Sequence, residues 1–204
     1  LKELKHPTLI VVCGWPLSGK SSIAKILAER LGIHWVDIDA VRKLCVGIPY
    51  PHPDESEELM AKDRLEMKTA YELLIHNADI HLGLLRRSVI ITATFSREAG
   101  QEDLARFYWR EMSPIAEHRA RIKVVQCVPV FTSPEDEREE IERRLSRGFG
   151  EGGYVGGVNS WTRYLEVKNR YQKIFLPHLE IDTSHHRTVE ECAEEATAYI
   201  LSEN

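Results

Sequence analysis

The apolar run Thr8-Leu9-Ile10-Val11-Val12-Cys13 leads directly into Gly14-Trp15-Pro16-Leu17-Ser18-Gly19-Lys20-Ser21. Ile23, Ile26, Leu27 and Leu31 then recur at helical spacing until Gly32 supplies a stop. An unbroken apolar run of this length reads as a strand buried on both faces. The turn that follows fills the pattern G-x-x-x-x-G-K-[ST] without a gap. Its glycines let backbone amides fold inward around an anion, and the helix N-terminus adds a favourable dipole. The pattern predicts a phosphate cradle for ATP formed by Gly14, Trp15, Pro16, Leu17, Ser18, Gly19, Lys20, Ser21 and Ser22. Lys20 is expected to reach the β/γ phosphates, and the Ser21 hydroxyl to ligate Mg²⁺. The plainer alternative is a glycine turn carrying a solvent-facing lysine.

Downstream, apolar runs alternate with helical patterns. Strands are expected at His34–Ile38, Ser88–Ile91, Ile122–Val128 and Leu179–Ile181. Helical composition spans Ser56–Leu85, with Leu59, Tyr71, Leu74, Ala78 and Leu82 among the apolar positions and length enough for two helices. Leu104, Phe107, Tyr108 and Met112 mark another amphipathic helix, ended near Ser113-Pro114. A charged helix follows Pro134, a further helix covers roughly Ser160–Phe175, and Val189, Cys192, Ala193, Ala196 and Ile200 line one face of the last. Crossovers of this length imply parallel pairing. The fold class is therefore α/β, a three-layer sandwich with a five-stranded parallel sheet, and residues 1–204 form a single domain. Ligands of such sheets bind at the carboxyl ends of the strands.

The net charge of −5 and sequence pI near 6.0 give no global basic field that would recruit a long polynucleotide. Cys13, Cys45, Cys127 and Cys192 form no CxxC pair, and Cys13 and Cys127 read as buried thiols. That pattern favours a reducing compartment. No stretch approaches the ~20 apolar residues that span a bilayer. No membrane association is expected, and the location expected is cytoplasmic. Oligomeric state is left open.

Asp37 and Asp39 flank Ile38 at the end of the second strand, so in an extended segment they share one face. Transfer of phosphate to a hydroxyl needs a carboxylate near the γ-phosphate to accept the proton, and Asp39 is the candidate. The structural alternative makes Asp39 the N-cap of a short helix over Ala40–Cys45. Arg42 would hold substrate or pair with Asp39, and Arg97 and Arg106 would line the acceptor site. In the charged segment Glu135–Arg147, Arg143 and Arg147 lie four apart on one face, suited to the charge that develops on the γ-oxygens. Arg147 is the first candidate, Arg143 the second, and Arg144 a substitute for either. The glycines of Gly148–Gly157 would make the region, roughly residues 134–160, a small mobile lid; a solvated helix followed by a linker is the alternative. Trp15 would contact substrate or cover the loop. His76 and His81 are five apart, poor spacing for one metal, and read as solvated or packed.

Gly14–Ser21, Val36-Asp37-Ile38-Asp39-Ala40-Val41-Arg42 and Val89-Ile90-Ile91-Thr92-Ala93-Thr94-Phe95 together resemble the P-loop kinase-like AAA-type ATPase family. Its relatives include polynucleotide 5′-hydroxyl kinases, zeta-toxin-like kinases and antibiotic phosphotransferases. The resemblance continues through Arg143-Arg144-Leu145-Ser146-Arg147, matching lid arginines, to Ile181-Asp182-Thr183-Ser184. It implies that Asp39 acts as base or orients the acceptor hydroxyl. In shikimate-kinase-like relatives the first acid of a D-x-D pair serves Mg²⁺, which assigns that role to Asp37. The third strand of the family ends in Asp-Ala-Thr or Asp-Asn-Thr, whereas here it reads Thr92-Ala93-Thr94. Either activity is altered or Asp37 supplies the missing charge.

These features predict an ATP-dependent phosphotransferase acting on a hydroxyl of a small molecule or a nucleic-acid 5′ end. The alternatives are a nucleotide-binding regulator or degenerate kinase, favoured by Thr92, and an acceptor-independent ATPase.

Overall fold

The computed structural model describes residues 4–46, 57–95, 120–146, 158, 160–172 and 174–202. Strands β1 (Thr8–Cys13), β2 (His34–Asp37), β3 (Val89–Ala93), β4 (Arg121–Val128) and β5 (Leu179–Asp182) form one sheet in the order β2-β3-β1-β4-β5. Every pairing is parallel. Helices among the described residues are α1 (Lys20–Leu31), α2 (Ile38–Val46), α3 (Glu57–Asp79), α4 (Pro134–Ser146), α5 (Trp161–Asn169) and α6 (Val189–Leu201).

Strand β1 is wholly buried, and its side chains alternate between two cores. Leu9, Val11 and Cys13 join Val89, Ile91 and Ala93 beneath Ala70, Leu74, Ile75 and Ala78 of α3. Ile10 and Val12 face the other way with Ile90, Val125 and Cys127, against α1 and α6. Each fully buried Leu, Ile or Val contributes about 1.5–3 kcal/mol, so the unbroken apolar run is what fixes β1 at the centre. A third cluster of Ile141, Val158 and Tyr164 sits apart from both and packs on Trp15 and Leu17 of the glycine turn.

Several boundaries differ from the sequence expectation. Ile38 belongs to α2 rather than to β2, because Oδ1 of Asp37 accepts the amide of Asp39 at 2.8 Å and turns the chain into a helix. Strand β3 runs two residues further, placing Thr92 within the ladder opposite Asp37. The Ser56–Leu85 region holds one helix rather than two. After α3 the chain continues as a π-helical turn, Ile80–Leu84, closed by the amide of Leu85 on the carbonyl of Ile80 at 3.0 Å. Helix α5 stops at Asn169, short of Phe175, with Arg170 as its C-cap. The helix expected around Leu104–Met112 and the glycine-rich segment 148–157 lie outside the described residues. Among the described residues no helix is long and apolar enough to cross a membrane.

Candidate active site at the carboxyl ends of the strands

The turn from β1 to α1 is built around three left-handed backbone positions: Gly14 at φ 146°, Leu17 at φ 66° and Gly19 at φ 84°. A Cβ on Gly14 would come within 2.5 Å of both the Cys127 carbonyl and Ser18 Oγ, so only glycine fits there. Helix α1 starts without an acid in its first turn and without a side-chain cap, so its N-terminal amides keep their donor capacity. Ser18 is fully buried, and its Oγ has no hydrogen-bond partner among the described residues. Open amides, an orphaned buried hydroxyl and a glycine that cannot be replaced are the features a phosphate cradle requires.

Asp37 occupies the centre of the site. Its Oδ2 accepts from Ser21 Oγ at 3.1 Å and from Thr92 Oγ1 at 2.6 Å, while Oδ1 accepts from the Asp39 amide. Trp35 Nε1 donates to Thr92 Oγ1 at 3.0 Å. An indole nitrogen can only donate, so the Thr92 hydroxyl must receive it and pass its own proton toward Asp37. Asp37 therefore serves as an acceptor at both of its oxygens. The threonine at the position of the family acid therefore orients a carboxylate from the neighbouring strand. The oxygens of Ser21 and Asp37, a hydroxyl and a carboxylate already adjacent, form a donor set suited to Mg²⁺.

The capping position that the structural alternative gave to Asp39 is filled by Asp37, since α2 begins at Ile38. Asp37 and Asp39 are brought together by the strand-to-helix turn, not by a shared face of an extended segment. Burial, and then the charge of Asp37, push the Asp39 carboxyl above the usual aspartate range, with Lys20 and Arg42 opposing. Arg42 is itself buried and pairs with Glu66 of α3 at 3.7 Å. At the end of β3, Tyr71 Oη lies 3.0 Å from Thr94 Oγ1 and accepts the Phe95 amide at 3.2 Å.

Helix α4 is tied to the cradle through Arg144, whose Nη1 donates to the Leu17 carbonyl at 2.6 Å and Nη2 to the Thr183 carbonyl at 2.8 Å. Its Nε donates to Glu140, as do Nε and Nη2 of Arg143 at 2.6 and 2.5 Å. Burial raises the Glu140 carboxyl, but the bonds from Arg143 and Arg144 outweigh it and hold the group below the usual range. All three guanidinium nitrogens of Arg144 are thus engaged within the protein, while Arg143 keeps Nη1 outside its pair with Glu140. Arg147 and Arg97 lie outside the described residues, as does Arg106. Trp15 meets the Tyr171 ring edge-on at 5.5 Å, and the Lys168 amine stands 5.8 Å above its ring.

Thr183 and Ser184, just beyond β5, carry buried hydroxyls without partners among the described residues, and Thr183 packs beside Gly19. The sequence marks them only as the end of a weak run.

A parallel sheet in this order, with a glycine-bounded turn leading from its central strand into a helix, defines the fold of the P-loop kinases. Residues 9–151 match the model of the AAA domain family, and the chain belongs to that family. A protein from Chloroflexus aurantiacus superposes with a TM-score of 0.66 at 20% identity, over 96% of this chain and 99% of the other. A gluconokinase from Sinorhizobium meliloti gives 0.58 at 18% identity, over 97% and 93%. The APS kinase of Mycobacterium tuberculosis in complex with AMPPNP and APS gives 0.58 at 17% identity, over 97% and 99%. No curated protein matches the sequence closely enough to add to these.

Proposed function

We infer that the protein transfers the γ-phosphate of ATP to a hydroxyl group of a small molecule. The observation that carries this reading is the pairing of Ser21 with Asp37 at the mouth of the glycine turn, with a second, half-buried carboxyl at Asp39 beside them. The fold neighbours named above include a gluconokinase and an APS kinase, which agrees with a small acceptor. So does the net charge of −5, since a 5′-hydroxyl on a long polynucleotide would call for a basic groove.

In this reading backbone amides between Gly14 and Ser22, apart from Pro16, which has no N–H, and the Lys20 ammonium hold the phosphates of the nucleotide. Ser21 and Asp37 would hold Mg²⁺, which supplies charge neutralisation across the phosphates. Thr92 and Trp35 keep the Asp37 side chain aimed. Asp39 orients the acceptor hydroxyl and takes its proton, a task that its raised proton affinity suits. Arg42 positions Asp39 and the acceptor, Arg97 lines the acceptor side, and Arg143 and Arg147 from the lid, roughly residues 134–160, balance the charge on the γ-oxygens.

A regulator that binds nucleotide without transfer is the second reading, and Thr92 in place of the family acid favours it. ADP release measured with and without a library of hydroxyl metabolites and oligonucleotides separates the possibilities. Release stimulated by a small metabolite supports the proposal. Stimulation by oligonucleotide 5′ ends alone moves the acceptor to nucleic acid. Acceptor-independent release indicates an ATPase, and binding without release indicates the regulator.

A further inference from the structure

At the opposite end of the sheet from the glycine turn, a groove of about 800 Å³ opens beside the amino ends of β1, β2 and β3. Its volume lies in the range of small-molecule sites, which is about 300–1,000 Å³. Among the described residues none that lines it is acidic, although the chain as a whole carries a net charge of −5. The polar lining comes from three separate segments: Lys5 and His6 before β1, His34 at the start of β2, and His81 with Arg86 and Arg87 around the π-helical turn. Leu31 and Ile33 give it an apolar side.

The geometry at its centre is specific. The rings of His34 and His81 stack with centroids 5.0 Å apart and planes 6° from parallel. His81 Nδ1 is buried and has no hydrogen-bond partner among the described residues. The π-helical turn holds His81 in place through the amide of Arg87, which donates to the His81 carbonyl at 2.8 Å. Two stacked imidazoles and Arg87 thus line one groove, with no carboxylate among its described lining residues.

We propose that this groove binds a small phosphate-bearing anion through His34, His81 and Arg87. Guanidinium and imidazolium donors form charge-assisted hydrogen bonds to tetrahedral oxyanions, and the apolar side suits the organic part of a phosphate ester. Burial, then the neighbouring charges of His34 and Arg87, hold His81 below the usual histidine range. A bound anion reverses that balance and raises its proton affinity.

The test places one equivalent of Mg·AMPPNP on the protein and titrates inorganic pyrophosphate in one arm and fructose 1,6-bisphosphate in the other, following the His34 and His81 ring resonances by NMR. Saturable shifts are expected, with His81 titrating at higher pH in the complex. Preference between the two arms tells free phosphate from phosphate ester. Arg87→Gln, an exposed change, is expected to weaken binding about tenfold, the loss of one charge-assisted contact. His81→Gln identifies the His81 resonance and is expected to weaken binding similarly. Resonances that do not move, that follow ionic strength as they do with sodium chloride, or an affinity unchanged in Arg87→Gln would overturn the proposal. The readout involves no phosphoryl transfer, so its failure leaves the kinase reading intact, and failure of that reading leaves the groove's ligand measurable.

Discussion

Asp39 is a side chain whose burial should cost stability near neutral pH. Its carboxyl has a higher proton affinity when folded than when unfolded, chiefly through burial. The native state therefore holds the extra proton between the unfolded value, about 3.9, and the higher folded value, and stability falls as pH rises through that window. Asp39→Asn keeps the shape without the charge. It should melt at a higher temperature than the wild type at pH 7, and the difference should vanish below about pH 4, where both carry a neutral group. Turnover in the same variant should drop by about 10²–10⁴-fold, the range for losing a proton acceptor. A less stable Asp39→Asn at pH 7 would contradict the account. Thr92 gives a second check. Thr92→Val removes the hydroxyl that links Trp35 Nε1 to Asp37 Oδ2, and should cost about 1–3 kcal/mol for the donor left behind. The apparent requirement for Mg²⁺ in turnover should rise with it. The sequence gives Asp37 and Asp39 as a pair with separate expected roles, but not that Asp37 accepts the Asp39 amide at the start of α2. Whether the first or the second acid caps the helix depends on where β2 ends, and one residue of register decides it.

Among the elements, α4 differs most from its appearance in the sequence. Alternating acids and arginines read as a solvated or mobile face, yet Glu140 and Ile141 are buried. Arg144 joins the helix to the Leu17 carbonyl, inside the strained glycine turn. That contact spans 127 residues of sequence and no spacing rule exposes it. Glu140→Gln leaves two guanidiniums without their counter-charge and should cost about 3 kcal/mol in chemical denaturation, as for a partly buried pair deprived of one member. The Glu140 carboxyl sits below its ordinary range when folded, so its contribution is present above about pH 4.3 and is lost as pH falls through the lower folded value. Glu142→Gln, which disturbs only the exposed pair with Arg138, should leave the melting temperature unchanged. The π-helical turn after α3 was equally hidden. The apolar period of α3 continues without a break into Leu82, and nothing in it distinguishes five-residue from four-residue closure.

At the scale of the whole molecule, the sheet was the most legible part, because β1 and β3 are buried on both faces and read as largely apolar runs, while β4 is buried too but carries Lys123 and Gln126. The order of the strands was not legible, since apolar runs carry no record of their neighbours. That order matters to function. With β1 between β3 and β4, the chain leaves the centre of the sheet in opposite directions, and the crevice at this reversal holds the glycine turn with Asp37 on one side and Thr183 on the other. A ligand seated there touches the ends of strands from both halves and binds only the folded sheet, so it must stabilise the molecule by mass action. Mg·AMPPNP at a hundred times its dissociation constant should add about 2.7 kcal/mol, or roughly 5–11 °C in melting temperature for a domain of this size. If Lys20 holds the phosphates as proposed, Lys20→Ala should melt where the unliganded wild type does and lose most of that increment. A Lys20→Ala protein that keeps the full shift would place the nucleotide elsewhere. One that melts much lower without ligand would make the lysine part of the fold's own support.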